Sequence, residues 1–197
     1  MGLRERKKER TRRTIRTEAF RLFRDQGYNE TTVEQIADAA EVSPSTFFRY
    51  FPSKEELVLA DDLDPVMIEA LGRQPKDLSM LEAFRDAAIA TFTSLGDEEW
   101  EFERQRTELI RTVPELRGAL AREFDRSVRL VADLTAERTR RSPEDIEVRA
   151  FAGALIGAAQ ASLLDRDPFD RESIVHLIEF LAAGMPLPVV DSSETAE

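Results

Sequence analysis

Apolar side chains recur at helical spacing along most of the chain. The repeat appears at Ile15, Ala19 and Phe23, and again in steps of three and four residues over 116–131. No segment shows the sustained alternation of apolar and polar residues that predicts a half-buried strand. Proline and glycine fall between the periodic segments, where helices end. The pattern therefore predicts an all-α protein.

Two short helices are predicted near the N-terminus from their capping residues. Thr32 and Gln35 have the spacing of a capping box, which begins one helix. Ser43 is suited to cap a second helix with Pro44 at its first position, and this helix runs to about Tyr50. A turn of three or four residues joins the two, which predicts a helix-turn-helix over residues 29–56. The second helix of this motif can enter the major groove of DNA.

The side chains expected on the open side of this second helix are small or carry hydrogen-bond donors. Thr46 can offer its methyl group to thymine, and Arg49 can donate to guanine or to a phosphate. Tyr50 and Lys54 are suited to phosphate contacts. A structural three-helix unit without a DNA role is the alternative, but acidic side chains would then be expected in place of Ser45, Thr46 and Arg49.

The net charge of −11 argues against nucleic acid binding until its distribution is considered. Residues 1–24 contain ten Lys or Arg and three Glu, and residues 1–60 carry a net charge of +2. The rest of the chain therefore carries −13. This asymmetry indicates a polyanion contact through the N-terminal region, with the acidic remainder repelled. Arg12 and Arg13 are candidate contacts there, although a solvated basic segment is an equal alternative.

Enzyme chemistry and membrane insertion are not indicated. The chain has no cysteine and one histidine, so no metal site is predicted, and no cofactor motif is present. The acids at 98, 99, 101 and 103 wrap around a helix without converging. The longest weakly charged run spans 150–164, shorter than the roughly 20 apolar residues of a bilayer span. A soluble, cytoplasmic protein that is not an enzyme is expected.

Residues 31–57, TTVEQIADAAEVSPSTFFRYFPSKEEL, resemble the TetR family of transcriptional regulators, and Gly27-Tyr28 fits as well. The resemblance implies about nine helices, a homodimer through the last two long helices, and a ligand pocket in the C-terminal domain. It places Phe47 and Phe51 in the core. One departure is Glu41, which stands where the family usually has glycine. By match to the motif, the expected DNA contacts are Thr32, Ser43, Pro44, Ser45, Thr46, Phe48, Arg49, Tyr50 and Lys54.

These observations predict a DNA-binding domain at residues 1–58, a ligand-binding and dimerisation domain at 59–186, and a disordered tail at 187–197. An apolar pocket with cationic groups for an anionic head group is expected among aromatic and arginine side chains, each of which could instead be core or solvated. The candidates are Phe84, Phe92, Trp100, Arg104, Arg106 and Phe124.

The segment from Phe47 to Lys54, together with Arg106 and Pro114-Glu-Leu, is similar to a subgroup that includes the mycofactocin regulator. That similarity implies a small apolar or amphipathic effector, with a fatty acyl-CoA as one candidate. The combined hypothesis is a ligand-responsive regulator, acting as a repressor, that binds a near-palindromic operator as a homodimer. The alternative is a helical ligand-binding or scaffolding protein that does not bind DNA.

Overall fold

The computed structural model describes residues 2–60, 63–163 and 171–187. These residues form ten helices and no strand, which confirms the all-α prediction and lies close to the expected nine helices. In chain order the helices are α1 (Leu3–Gln26), α2 (Val33–Ala39), α3 (Pro44–Tyr50), α4 (Lys54–Leu59), α5 (Leu63–Arg73), α6 (Met80–Ser94), α7 (Asp97–Thr112), α8 (Pro114–Thr139), α9 (Ile146–Leu163) and α10 (Arg171–Ala182).

The first helices begin and end at the predicted capping residues. The backbone N–H of Gln35 donates to Thr32 Oγ1 at 3.2 Å, and the N–H of Thr32 donates to Gln35 Oε1 at 2.9 Å. This reciprocal pair satisfies two backbone donors that have no acceptor within α2. At the end of α1, Gly27 has a φ of 92°, a conformation that L side chains rarely adopt. The local sequence therefore sets both helix ends.

The described residues divide into two compact units, of which the first comprises residues 2–60 and 96–128. Its core contains side chains from α1 to α4, from α7 and from the start of α8. The helix-turn-helix helices thus share one core with helices from later in the chain. The division into a DNA-binding domain at residues 1–58 and a ligand-binding domain at residues 59–186 remains a prediction. The largest core side chains of this unit include Ile15, Phe23, Ile36, Phe47, Phe51, Leu57, Ile110 and Leu116.

The second unit comprises residues 63–95, 129–162 and 171–187. Within it, α6 contacts both α5 and α10. Leu71, Met80, Ala83 and Ala87 form the buried cluster, and Leu134 and Phe151 from α8 and α9 pack against it. Arg138 of α8 also donates a hydrogen bond to the carbonyl of Leu78 at 3.4 Å.

Pro65 and Pro114 lie within the first turns of helices. Pro65 is the third residue of α5, a helix that the sequence pattern did not predict. Pro114 is the first residue of α8, one residue after the C-cap of α7. Proline is tolerated in a first turn because the N–H groups there have no intrahelical acceptor. Proline therefore marked the beginning of these two helices as well as the end of the preceding segments.

Within the described ranges, none of the helices combines the length and the apolar composition that crossing a bilayer demands. The predicted disordered tail lies outside the described residues except for Leu187.

Candidate nucleic-acid interface

The turn between α2 and α3 is built around Glu41, which has a φ of 54°. The N–H of Val42 donates to the carbonyl of Ala37 at 2.9 Å, and the N–H of Glu41 donates to the carbonyl of Asp38 at 3.0 Å. These two bonds form a Schellman motif, in which the residue after the C-cap adopts the left-handed conformation. The chain therefore keeps the backbone geometry that glycine would favour and places a glutamate in it, at a cost of roughly 1 kcal/mol.

Three hydroxyl groups lie together at the start of α3. The oxygen of Ser43 accepts a hydrogen bond from the N–H of Thr46 at 3.1 Å, which confirms Ser43 as the N-cap. The same oxygen lies 2.9 Å from Ser45 Oγ and 3.0 Å from Thr46 Oγ1. Pro44 occupies the first helical position, as predicted. Hydroxyls at this end of α3 can donate and accept, so they are suited to base edges or phosphates.

The two faces of α3 differ sharply in exposure. Phe47 and Phe51 are buried at 0% and 2% relative exposure, and their ring centroids lie 5.9 Å apart. Phe48 is 51% exposed, and Ser45 and Arg49 are also exposed. The predicted core role of Phe47 and Phe51 is therefore confirmed. The same packing holds α3 in the orientation in which its other face is open to solvent.

Tyr50, at the end of α3, and Lys54, at the start of α4, are predicted DNA contacts whose side chains are half-buried. The guanidinium of Arg49 lies 5.5 Å from the ring centroid of Tyr50, so the two side chains are neighbours at this end of the helix. Lys54 makes its contacts within the protein. Its Nζ donates to the carbonyl oxygens of Tyr28 at 2.8 Å and Thr31 at 2.9 Å. A phosphate contact by Lys54 stays a prediction, and any such contact would share the ammonium with these carbonyls.

The pKa values of Lys54 and Tyr28 are both shifted by their surroundings. Burial lowers the pKa of Lys54, and the nearby carboxylates of Glu55, Glu115 and Glu30 oppose that shift. Burial also raises the pKa of Tyr28 well above its usual range, with Glu55 and Glu115 acting in the same direction. Both effects arise because the loop after α1 is covered by the start of α4. Tyr28 is therefore neutral at physiological pH.

The arginines of α1 have different surroundings. Arg12 is half-buried, with its guanidinium 5.3 Å from the ring centroid of Phe51, whereas Arg13 is exposed. Arg16 is buried at 2% exposure. It donates to the carbonyl of Ala60 at 2.9 Å and lies 4.7 Å from the ring centroid of Phe102 in α7. Arg16 therefore connects α1 with the end of α4 and with α7.

The six candidate effector residues are distributed over both units. Phe84 and Phe92 lie half-buried on α6 in the second unit. Trp100, Arg104 and Arg106 lie on α7, and Phe124 lies on α8, all in the first unit. Their role in ligand binding remains a prediction.

The two candidate arginines of α7 each pair with a glutamate three residues earlier. Arg104 forms an exposed ion pair with Glu101. Arg106 Nε donates to Glu103 Oε2 at 2.8 Å, and these side chains are only 7% and 4% exposed. Two charges removed from water require close mutual pairing, so Arg106 has a structural function within the first unit. A ligand that used Arg106 would have to compete with Glu103.

Sequence reasoning missed the roles of Arg16, Glu103 and the ammonium of Lys54. Arg16 precedes the buried Phe20 by four residues, so it lies on the packed face of α1, and this spacing was an available signal. Glu103 and Arg106 have an ordinary surface-pair spacing. Nothing in the local sequence distinguishes this pair from the exposed pair of Glu101 and Arg104.

Two family models match the chain. The model described as bacterial regulatory proteins of the tetR family matches residues 15–60, which contain the helix-turn-helix. The model described as the MftR C-terminal domain matches residues 78–186, more than half of the chain. The first model therefore covers the helix-turn-helix, and the second covers helices α6 to α10.

Relatives and solved structures agree with these models. The HTH-type transcriptional regulator TcmR of Streptomyces glaucescens is 39% identical over 168 residues, which cover 84% of this chain and 67% of TcmR. The crystal structure of NalD, the secondary repressor of the MexAB-OprM multidrug efflux pump in Pseudomonas aeruginosa, is 26% identical. It has a TM-score of 0.54, with 91% of this chain and 97% of that chain covered. Thermus thermophilus FadR in complex with lauroyl-CoA shares the fold at 22% identity and a TM-score of 0.54, with 92% and 98% covered. The chain therefore belongs to the TetR family and is a DNA-binding transcriptional regulator, not an enzyme.

Proposed function

We propose that this regulator is a ligand-responsive repressor whose α3 reads operator DNA in the major groove. The supporting observation is the division of α3 into a buried face with Phe47 and Phe51 and an exposed face with Ser45, Phe48 and Arg49. A major groove about 12 Å wide admits one α-helix, and a face of this chemistry can contact base edges.

The proposal includes a homodimer through the last two helices, α9 and α10. Two copies of α3 would then enter successive major grooves about 34 Å apart on a near-palindromic operator. α9 is suited to a close helix contact because Ala150 and Ala154 are exposed. Gly153 and Gly157 of α9 also face open space, because a Cβ built at either position would meet no atom within 4 Å.

The effector is proposed to be a small apolar or amphipathic molecule, with a fatty acyl-CoA as the leading candidate. The match to the MftR C-terminal model and the lauroyl-CoA bound to FadR support this class. Effector binding would favour a dimer geometry whose two α3 helices no longer match the operator spacing. The candidate contacts are Phe84, Phe92, Trp100, Arg104, Arg106 and Phe124.

Repression is proposed as the output, since NalD, of similar fold, is a repressor. A protein that works on chromosomal operators is expected in the cytoplasm. The target genes follow from the operator once it is identified.

The decisive experiment is a gel shift with the region upstream of the protein's own gene, repeated at several salt concentrations. The proposal expects a shifted complex whose affinity falls steeply with salt. No salt-sensitive binding to any fragment would contradict it. Mass spectrometry of small molecules that copurify with the protein then identifies the effector class. Full-length protein is required, because Ile110 and Leu116 pack into the same core as residues 15–58.

A further inference from the structure

The buried segment of α7 around Arg106 includes Thr107, which is 6% exposed and whose Oγ1 has no hydrogen-bond partner among the described residues. The other buried threonines of those ranges, Thr31, Thr91 and Thr135, each donate to the carbonyl four residues earlier at 2.7–2.8 Å. A buried hydroxyl without a partner is unfavourable and rare in native proteins. Thr107 does not use the equivalent carbonyl of α7, so its hydroxyl is available to a group from outside the helix.

Thr107 shares its side of α7 with a candidate effector residue. Phe102 and Leu109 pack against the core of the first unit, and Thr107 lies roughly 140–160° around the helix axis from them. Trp100 precedes Thr107 by two turns and lies within about 20° of it, and its side chain is half-buried. A molecule that contacts Trp100 along α7 would therefore also meet Thr107.

The charges beside Thr107 already compensate each other. Arg106 Nε donates to Glu103 Oε2 at 2.8 Å, and both side chains are less than one tenth exposed. A carboxylate brought next to Thr107 would lose its hydration, would be repelled by Glu103 and would gain one hydroxyl donor, which does not compensate for burying a charge. The group that suits Thr107 is therefore a neutral oxygen.

We propose that Thr107 donates a hydrogen bond to a neutral carbonyl oxygen of the effector, beside the effector's apolar chain. This inference rests on the proposed function. In a fatty acyl-CoA that oxygen is the thioester carbonyl, which is the neutral acceptor nearest to the chain. Thr107 is then a specificity-determining residue, because a site with a buried hydroxyl rejects a ligand that leaves this hydroxyl unpaired.

The experiment compares two ligands that differ by one carbonyl group, on the full chain and on two variants. Lauroyl-CoA is a thioester, and S-dodecyl-CoA is the thioether with the same chain length and no carbonyl. Isothermal titration calorimetry measures both dissociation constants. The test variant is Thr107→Val, which keeps the shape of the side chain and removes the hydroxyl. The control is Thr135→Val, the same change at a buried threonine that donates to the Val131 carbonyl at 2.7 Å.

The unaltered chain should bind lauroyl-CoA about tenfold more tightly than S-dodecyl-CoA, because one more hydrogen bond is formed. Thr107→Val should reduce this ratio to about one by weakening lauroyl-CoA alone, and the control should keep the full ratio. Equal affinity of the unaltered chain for the two ligands, or a ratio that Thr107→Val leaves unchanged, would overturn the proposal.

A second measurement needs no ligand. Thr107→Val removes a hydroxyl without a partner, so its urea midpoint should exceed that of Thr135→Val, which removes a bonded hydroxyl. An equal or lower midpoint would mean that Thr107 has a structural partner, such as a buried water, and would contradict the proposal.

Failure of the proposed function gives a different result. If the unaltered chain binds neither CoA compound, the acyl-CoA effector is wrong and the role of Thr107 fails with it. If the chain binds both compounds equally, the acyl-CoA effector stands and only the role of Thr107 fails.

Discussion

The ammonium of Lys54 lies 4.1 Å from the ring centroid of Tyr28 and donates a 2.8 Å hydrogen bond to the Tyr28 carbonyl. A second bond of 2.9 Å goes to the carbonyl of Thr31. Lys54 is the first residue of α4, and Tyr28 and Thr31 belong to the loop between α1 and α2. One side chain therefore fixes the start of α4 to the loop that precedes the helix-turn-helix.

Replacing Lys54 with glutamine should destabilise the fold. The shorter amide loses the charge-assisted hydrogen bonds to two partly buried carbonyls and the contact with the aromatic ring. Hydrogen bonds to charged groups contribute about 1.5–3 kcal/mol each, and partial exposure reduces that, so we expect a loss of about 2 kcal/mol. Urea unfolding followed by circular dichroism measures the change.

The control for this variant is Lys76→Gln, because Lys76 is exposed and should tolerate the change within about 0.5 kcal/mol. The competing role of Lys54 is a phosphate contact. In that case unfolding would be unchanged, and the salt slope of DNA binding would fall by about 0.9.

Replacing Glu41 with glycine should stabilise the protein by about 0.5–1 kcal/mol. Glycine adopts the φ of 54° at this position without the steric cost that a Cβ carries in the left-handed region. The control is Glu41→Ala, which keeps the Cβ and should give no gain. A shift of the urea midpoint with unchanged slope measures the effect. Equal stabilisation by both variants would assign the effect to the loss of the glutamate charge.

The parts of the fold that the sequence predicted correctly depend on short-range chemistry. Thr32 with Gln35, and Ser43 with Pro44, satisfy backbone donors within three residues, so the ends of α2 and α3 can be derived from neighbouring residues alone. The burial of Phe47 and of Phe51, the C-cap residue of α3, was predicted from the resemblance to the TetR family. The exposed face of α3 follows from that burial.

The parts that were missed depend on contacts between residues far apart in the chain. Arg16 and Ala60 are 44 residues apart, and Lys54 and Tyr28 are 26 apart. The spacing of Arg16 from Phe20 indicates that Arg16 lies on the packed face of α1, but no pattern in the sequence identifies Ala60 or Tyr28 as the partner. The contribution of α7 to the first core has the same origin, since Ile110 packs with α1–α4 although α5 and α6 separate them along the chain. The candidate DNA contacts could therefore be named from the motif. The groups within the protein that also bind them, such as the carbonyls of Tyr28 and Thr31 at Lys54, could not.

Replacing Arg49 with alanine should weaken sequence-specific DNA binding by roughly 1–3 kcal/mol. The side chain is exposed on α3 and lies beside the ring of Tyr50, so its loss should leave the free energy of unfolding nearly unchanged. Fluorescence anisotropy with a duplex that the unaltered chain selects from a random library, and with a scrambled duplex, separates specific from non-specific binding. The matched control is Arg73→Ala, an exposed arginine of the second unit. Unchanged specific affinity would remove Arg49 from the reading surface.

Two glutamate-to-glutamine changes on α7 should differ in their effect on stability. Glu103→Gln removes the carboxylate that pairs with Arg106 at 2.8 Å, where both side chains are less than one tenth exposed. Loss of one partner of a buried pair typically costs about 3–5 kcal/mol, because the remaining charge stays out of water. Glu101→Gln changes the same group in the exposed pair with Arg104 and should leave the free energy of unfolding nearly unchanged, because solvent screens that pair. Urea unfolding of both variants tests the contrast. Equal small losses would mean that water reaches Arg106 and that its guanidinium is available to an anionic effector.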